Sequence, residues 1–458
     1  MNLILKSKTK SGLIITVCLS WILMYGYFFE LGKGSTFGDM LIWRHKYIFS
    51  IWCLVFILAL ILISRRRSHF NQATKVLNLI SATLIVFCLV NIVGYVLKNK
   101  SPVSSIPEEK IAQKTRAADA ERRDTAASPL KPDIYYIILD AYAGPDVLDK
   151  HFGFDNTEFY EYLNQKGFYT PLNSRSNYST TRFSLASSLN MDYIQNLSTK
   201  SGLAPQNFPM IYAPMTKDNE VARILKQNGY MYVSIGFKNE YADLELVFGT
   251  GEEFSKYLFI NSLLNMTFFR YVLRVADIGV NPRFREGILY TFDEISKIHK
   301  IKGPKFTFAH VLSPHRPYVF GPNGEKNTIF KAISLQPRQL YIRQLMYINT
   351  KVKSLIDNIL EQSEVPPIII LQADHGPILG TPSDSLLDPR SLQNRYGILN
   401  SYYLPGASKD IIYDSITPVN SFRIILNHYL NTQYQLLKDE SYLYFKKEFV
   451  KVDDKMDR

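Results

Sequence analysis

The sequence predicts an α/β domain, built on a mixed, largely parallel central sheet with helices on both faces and preceded by three transmembrane helices. Three observations predict it. From about residue 131 onward, apolar runs alternate with longer amphipathic segments, the pattern of strands covered on both faces by helices. Three charge-free apolar stretches, 11–29, 47–64 and 76–97, hold 19, 18 and 22 residues, each enough to cross a hydrocarbon core as a helix, and nothing after residue 131 matches them. Between these parts, residues 98–131 carry Ser-Pro and Ile-Pro breaks around an Ala-, Glu- and Arg-rich run, which reads as a hydrophilic tether. The expected organisation is a membrane anchor over 1–97, a linker over 98–131 and a folded domain over 132–458.

A secretory signal peptide is the other reading of the first stretch, but no clear small-residue cleavage site follows it and two further spans do. The net charge of +12 suggests nucleic acid until its distribution is counted. Before residue 132 lie 18 of the 53 Lys and Arg and only 7 of the 41 acids, leaving 35 against 34 afterwards. The basicity therefore belongs to the membrane-flanking segment, the large domain is nearly neutral, and nucleic-acid binding loses its support.

Lys6, Lys8 and Lys10 precede the first span, and Arg65, Arg66, Arg67 and Lys75 lie between the second and third. With both groups cytoplasmic, an odd number of spans exports the C-terminal domain, although Arg44, His45 and Lys46 oppose this orientation. The expectation is an integral protein of a bacterial-type inner membrane, with its large domain on the periplasmic or extracellular side. Cys18, Cys53 and Cys88 all fall inside the apolar spans, so the large domain has no cysteine to serve as disulfide, ligand or nucleophile.

In the large domain the expected core strands are 134–139, 230–235, 306–312, 368–372 and 398–403. The expected helices are 157–165, a short one beginning near Thr181, 284–299, 340–362 and 417–430. No repeat of fixed period occurs. After Ser441, the Tyr442, Tyr444 and Phe445 pattern predicts a last docked strand and then a solvated terminus.

Four segments carry residues that could do chemistry. Asp140 follows the run Ile-Ile-Leu, at the carboxyl end of a strand where open α/β sheets bind ligands. Taken alone, it reads first as a turn or cap residue. Asp374 and His375, in Ala373-Asp374-His375-Gly376-Pro377, again stand at a strand end, where oxygen and nitrogen donors together suit a divalent transition ion. Gly376 would let the backbone turn sharply there.

In Asn177-Tyr-Ser-Thr-Thr181-Arg182-Phe-Ser184, hydroxyls lead into a small-residue helix whose N-terminus attracts anions. A Thr hydroxyl there could meet a metal and act as a nucleophile; plain N-capping by Ser179 or Thr180 is the other reading. The fourth segment, His310-Val-Leu-Ser-Pro-His315-Arg316-Pro317-Tyr318, runs from a strand into a loop. His315 suits hydrogen-bonding to a phosphoryl oxygen or protonating a leaving group, whereas His310, within the strand, reads as a satisfied core histidine.

The order strand-Asp, Thr-led helix, His-Pro loop, strand-Asp-His-Gly resembles the alkaline phosphatase superfamily. Within it, the pattern resembles that of the sulfatase-like membrane proteins that include lipoteichoic acid synthases and lipid A phosphoethanolamine transferases. The resemblance covers about residues 131–430. It implies that Asp140, Thr181, Asp374 and His375 ligate one divalent metal ion, Zn or Mn, that Thr181 is the attacking group with Thr180 its close rival, and that His315 touches the transferred group. Thr181 and Ser184 match the transferases' Thr-x-x-Ser pattern. Arg182, Arg316 and Lys238 are candidates for an anion clamp.

The chain departs from the pattern in lacking Cys-x-Pro-x-Arg, the formylglycine site of the common sulfatases, and in having no His between His375 and His428 for a second metal site. Its three spans also compare with five in the lipid-using transferases. The implied activity is a membrane-anchored phosphotransferase that moves a substituted phosphate of phosphoglycerol or phosphoethanolamine type from a phospholipid to a cell-surface glycan or lipid. A hydrolase of phosphate or sulfate esters and a non-catalytic scaffold of surface-polysaccharide assembly are the alternatives.

Overall fold

The structure is a computed structural model that describes residues 8–31, 36–37, 40–41, 45–65, 131–201, 212–236, 241–247, 267, 282–327, 334–378, 388–446 and 448–456. The third expected span, nearly all of the linker, and Lys238 lie outside the described residues. The chain forms two compact units, one of residues 1–107 with 249–276 and the other of 108–248 with 277–458.

The first unit holds helix α1 (Lys8–Leu31) and helix α2 (His45–Arg65), with a short antiparallel pair, β1 (Thr36–Phe37) and β2 (Met40–Leu41), between them in sequence. Aromatics hold the helices together. The Trp52 indole donates to the Trp21 carbonyl at 3.0 Å, Trp21 stacks on Phe56 at 4.8 Å between ring centroids, and Tyr25 is wholly buried against Phe49. The outward faces are also apolar, with Leu19, Leu54, Val55 and Leu62 all at least half exposed. Among the described residues no helix is long and apolar enough to cross a membrane.

The second unit is built on a six-stranded sheet of β3 (Ile134–Leu139), β4 (Met231–Ile235), β5 (Leu244–Leu246), β6 (Lys305–Val311), β7 (Ile368–Gln372) and β8 (Asn400–Tyr403), in the spatial order β5-β4-β6-β3-β7-β8. All neighbours are parallel except β7 and β8. Strands β3, β6 and β7 are buried at every position, and β3 and β7 accordingly read as nearly unbroken apolar runs, whereas β6 also carries Lys305, Thr307 and His310.

The two-residue period then assigns the faces. Tyr135, Ile137, Leu139, Val311 and Leu371 pack on one side, and Tyr136, Ile138, Phe306, Phe308 and Ile370 on the other. The first face is covered by α3 (Pro145–Phe152), α4 (Thr157–Gln165), α9 (Pro282–Lys297) and α10 (Pro337–Gln362). The second is covered by α5 (Thr181–Asn190), α8 (Glu220–Gln227) and α12 (Pro418–Leu430). The intervening short helices are α6 (Ile194–Ser201), α7 (Tyr212–Lys217) and α11 (Pro389–Tyr396).

Helix α4 buries Phe159 and Leu163 one turn apart, and α10 buries Leu345, Ile348, Val352, Ile356 and Ile359 at helical spacing. Helix α12 starts at Thr417, whose amide and hydroxyl both donate to Asp439, at 2.9 and 2.7 Å. Strand β5 escaped the sequence reading because three residues with one buried side chain carry no periodicity. The solvated terminus is corrected. Strand β9 (Tyr442–Phe445) pairs with β10 (Glu448–Lys451), and α13 (Asp453–Met456) follows, with Val452 and Met456 buried against Leu392, Tyr396 and Leu443. Those two apolar residues are too few to stand out from the charges around them.

Candidate functional site

Three adjacent parallel strands end side by side. Ile138 of β3 is in register with both His310 of β6 and Gln372 of β7, so Asp140, His310 and Asp374 converge at the carboxyl edge of the sheet. One donor atom from each of these three residues lies within 4.8 Å of the others, and each residue is at most 5% exposed. The Asp374 carboxylate accepts through Oδ1 from the amides of Ala141 (3.1 Å) and His375 (3.0 Å), which leaves Oδ2 buried without a partner. Asp140 Oδ1 and His310 Nε2 are likewise buried without a hydrogen bond, although His310 Nε2 stands at ion-pair distance, 3.3 Å, from Asp140 Oδ2.

His375 adds a fourth donor. Its Nδ1 faces the Gly376 carbonyl at 2.9 Å and must therefore carry the proton, so in the neutral ring Nε2 presents its lone pair. That Nε2 stands 3.5 Å from Asp374 Oδ2 and 3.9 Å from Asp140 Oδ1. Buried orphaned acceptors of two carboxylates beside imidazole nitrogens cost free energy unless a cation satisfies them, and oxygen and nitrogen donors suit a divalent transition ion. The residues present therefore fit a metal.

Charge balance follows the same pattern. Burial pushes the Asp140 carboxyl up, but the close approach and charge of His310, with His315 and His375, outweigh it and hold the group below the usual carboxylate range. Burial works against the His310 charge as well, yet Asp140 and then Asp374 raise it above the ordinary imidazole range.

Thr181 is the first residue of α5, after the extended N-cap Thr180, and its Oγ1 lies 3.3 Å from His375 Nε2. Thr180 is exposed and makes no side-chain cap, so the arrangement sets Thr181, not its rival, against the cluster. Ser184, one turn later, donates to the Asp374 carbonyl at 2.5 Å and ties the helix to the end of β7. The helix can lie this close because its inner face is Ser184, Ala186, Ser187 and Ser188, all buried. Asn177 serves structure, accepting from the Val419 amide and donating to the Thr417 hydroxyl and the Glu440 carbonyl.

The His315 loop returns to the site. Its amide donates to the Asp140 carbonyl at 2.9 Å, its Nδ1 faces the Arg316 carbonyl at 2.5 Å, and its ring stands 6.2 Å from that of His375. Arg182 and Arg316 are exposed, and neither pairs with a carboxylate among the described residues.

His310 is the residue that sequence reasoning misplaced. It is buried as a core histidine would be, but its Nε2 is unsatisfied and faces two carboxylates. The chain carried no signal for it, because the register of β6 against the strand that carries Asp140 is not written in either strand.

Gly376 is required by contact. A Cβ there would run into the Asn394 carbonyl oxygen and sit 3.0 Å from the Gly397 oxygen, both backbone atoms. Gly376→Ala is expected to cost about 2 kcal/mol, several degrees in calorimetric unfolding, because neither segment can yield as a side chain would.

The family model that describes the sulfatases matches residues 132–423. Among solved structures, the C-terminal periplasmic domain of EcEptC from Escherichia coli is 12% identical, covering 71% of this chain and 94% of that one at a TM-score of 0.48. The integral membrane lipooligosaccharide phosphoethanolamine transferase A from Neisseria meningitidis is 12% identical, covering 89% and 79% at 0.43. The phosphonate monoester hydrolase of Agrobacterium radiobacter is 11% identical, covering 68% and 80% at 0.42. A search of the curated proteins finds none that matches.

Proposed function

Because the chain belongs to the sulfatase family and is an enzyme of phosphoric or sulfuric esters, we propose that it is a membrane-anchored, one-metal phosphotransferase. It moves a substituted phosphate, of phosphoglycerol or phosphoethanolamine type, from a phospholipid to a cell-surface glycan or lipid through Thr181. The observation that carries this reading is the Thr181 hydroxyl, 3.3 Å from His375 Nε2 at the rim of the buried Asp140, Asp374 and His310 cluster, in a domain without cysteine. A formylglycine sulfatase needs a cysteine or an equivalent precursor there; a threonine instead supplies an alcohol nucleophile.

Asp140, Thr181, Asp374 and His375 would hold one divalent ion, Zn or Mn, which when bound lowers the hydroxyl's pKa and offsets charge on the phosphoryl oxygens. The covalent sequence belongs to the protein. The Thr181 hydroxyl proton passes to solvent as its Oγ–P bond forms and the P–O bond to diacylglycerol breaks, and the departing oxygen takes a proton, for which His315 is the suited donor. An acceptor hydroxyl then attacks the phosphothreonyl group: its oxygen bonds to phosphorus as the Thr181 Oγ–P bond breaks, its proton passes to His315, and Thr181 regains a proton from solvent. Arg182 and Arg316, exposed and without carboxylate partners among the described residues, suit the charge of the transferred group. Lys238 completes the proposed clamp.

The apolar outward faces of α1 and α2 and the apolar stretch 76–97 support an anchor of three spans, with the catalytic domain, residues 132–458 after a linker, outside a bacterial-type inner membrane. An anchored enzyme meets a membrane-bound donor in the same plane.

The test is mass spectrometry after incubating the full-length protein with Mn or Zn, phosphatidylethanolamine or phosphatidylglycerol vesicles, and a glycan or lipid acceptor. Diacylglycerol release with a modified acceptor is expected. Release without acceptor modification replaces transfer by hydrolysis, and absence of both release and any Thr181 adduct withdraws the enzymatic mechanism in favour of a scaffold.

A further inference from the structure

Tyr341, on α10, is wholly buried and contacts the peptide groups that follow Asp140. Its hydroxyl donates to the Ala141 carbonyl at 3.0 Å and accepts from the Ala143 amide at 2.9 Å. Ala141 has φ 62, in the left-handed region that a residue with a Cβ enters only against steric cost. The same residue's amide donates to Asp374 Oδ1 at 3.1 Å, and Tyr142, next along, returns an amide bond to Leu139. One strained turn therefore ends the first strand behind Asp140 and supplies a donor to Asp374. Backbone bonds tie Tyr142 and Gly144 to Leu399 and Gly397, both at 3.1 Å, and the Tyr341 oxygen bonds the peptide groups of Ala141 and Ala143.

We infer that Tyr341 is a positioning residue whose hydroxyl latches the left-handed turn at Ala141 and thereby sets the spacing of Asp140 and Asp374. Packing alone does not account for the residue. Its ring meets Phe152 and Tyr318, at 5.1 and 6.3 Å between centroids, and phenylalanine would meet them equally well. Only the oxygen bonds both peptide groups. Gln344, one turn along the same helix, holds a different segment, donating to the Pro314 and His315 carbonyls and accepting from the Val319 and Phe320 amides. Asn349, also on α10, accepts from the Tyr142 hydroxyl at 2.5 Å, a side-chain bond, whereas Tyr341 bonds the backbone of the turn itself. The consequence for metal affinity rests on the metal-site reading, whereas the latch rests on backbone geometry alone.

The test compares full-length wild type, Tyr341→Phe, and the double variant Tyr341→Phe with Ala141→Gly, glycine being free to adopt the left-handed turn without the latch. In metal-free protein, Tyr341→Phe is expected to speed hydrogen exchange across residues 141–144 by about tenfold, with the strand amides of β6 unchanged. Calorimetric titration with Zn or Mn should show affinity weakened by about tenfold. The double variant should recover most of both losses, which a general packing defect at Tyr341 would not allow. Unchanged exchange in Tyr341→Phe, or a loss that Ala141→Gly does not repair, overturns the latch. Failure of wild type to bind either metal overturns the metal reading instead, and the exchange data then decide the latch by themselves.

Discussion

Asp374→Ala should yield a folded domain that retains no stoichiometric divalent metal after dialysis and turns over at least about a thousandfold more slowly than wild type. The carboxylate is 1% exposed and holds the site in two ways. Its Oδ1 collects the amides of Ala141 and His375, orienting the turn behind Asp140 and the imidazole together, while Oδ2 is the orphaned acceptor aimed among Asp140, His310 and His375. Alanine removes the second role outright and leaves two amides without an acceptor. Loss of a mere supporting partner already costs roughly 10- to 100-fold in metal affinity, so loss of a ligand should exceed that.

Folding should survive, because the same change also removes a buried charge that the metal-free protein pays desolvation to keep. Elemental analysis of the purified protein, with circular dichroism as the folding control, measures both effects. Full metal content with turnover within tenfold of wild type would remove Asp374 from the site.

The second large effect separates two adjacent threonines. Thr181→Val keeps the β-branched shape and deletes only the hydroxyl, and it should reduce turnover by on the order of 10⁴ or more and abolish any phosphate-bearing adduct in trapped enzyme. Thr180→Val should cost no more than a few fold, since Thr180 is exposed and its hydroxyl caps nothing. Peptide mass spectrometry of the segment 175–193, combined with initial rates, distinguishes them. An adduct that persists in Thr181→Val and vanishes in Thr180→Val would exchange their roles.

Much of this site was legible in the chain because its residues sit where strands stop. A parallel strand buried on both faces must be an apolar run, so the ends of Ile134–Leu139 and Ile368–Gln372 could be read to the residue, and with them the places of Asp140, Asp374 and His375. Thr181 was readable for a related reason, since a hydroxyl-rich lead into a small-residue run marks a helix start. The chain preferred it to Thr180 only through the Thr-x-x-Ser resemblance, because which of the two faces the end of β7 is a matter of tertiary packing.

By itself, then, the sequence determined the fold class of the large domain, the principal central strands and the residues that stand at strand ends, because each is written in local apolar periodicity. Only the tertiary structure decided that His310 joins Asp140 and Asp374, that Tyr341 holds the turn between two acids 234 positions apart in the chain, and that Val452 and Met456 are docked. These depend on strand register and on contacts between distant segments, and register is a relation between two strands that neither one encodes alone.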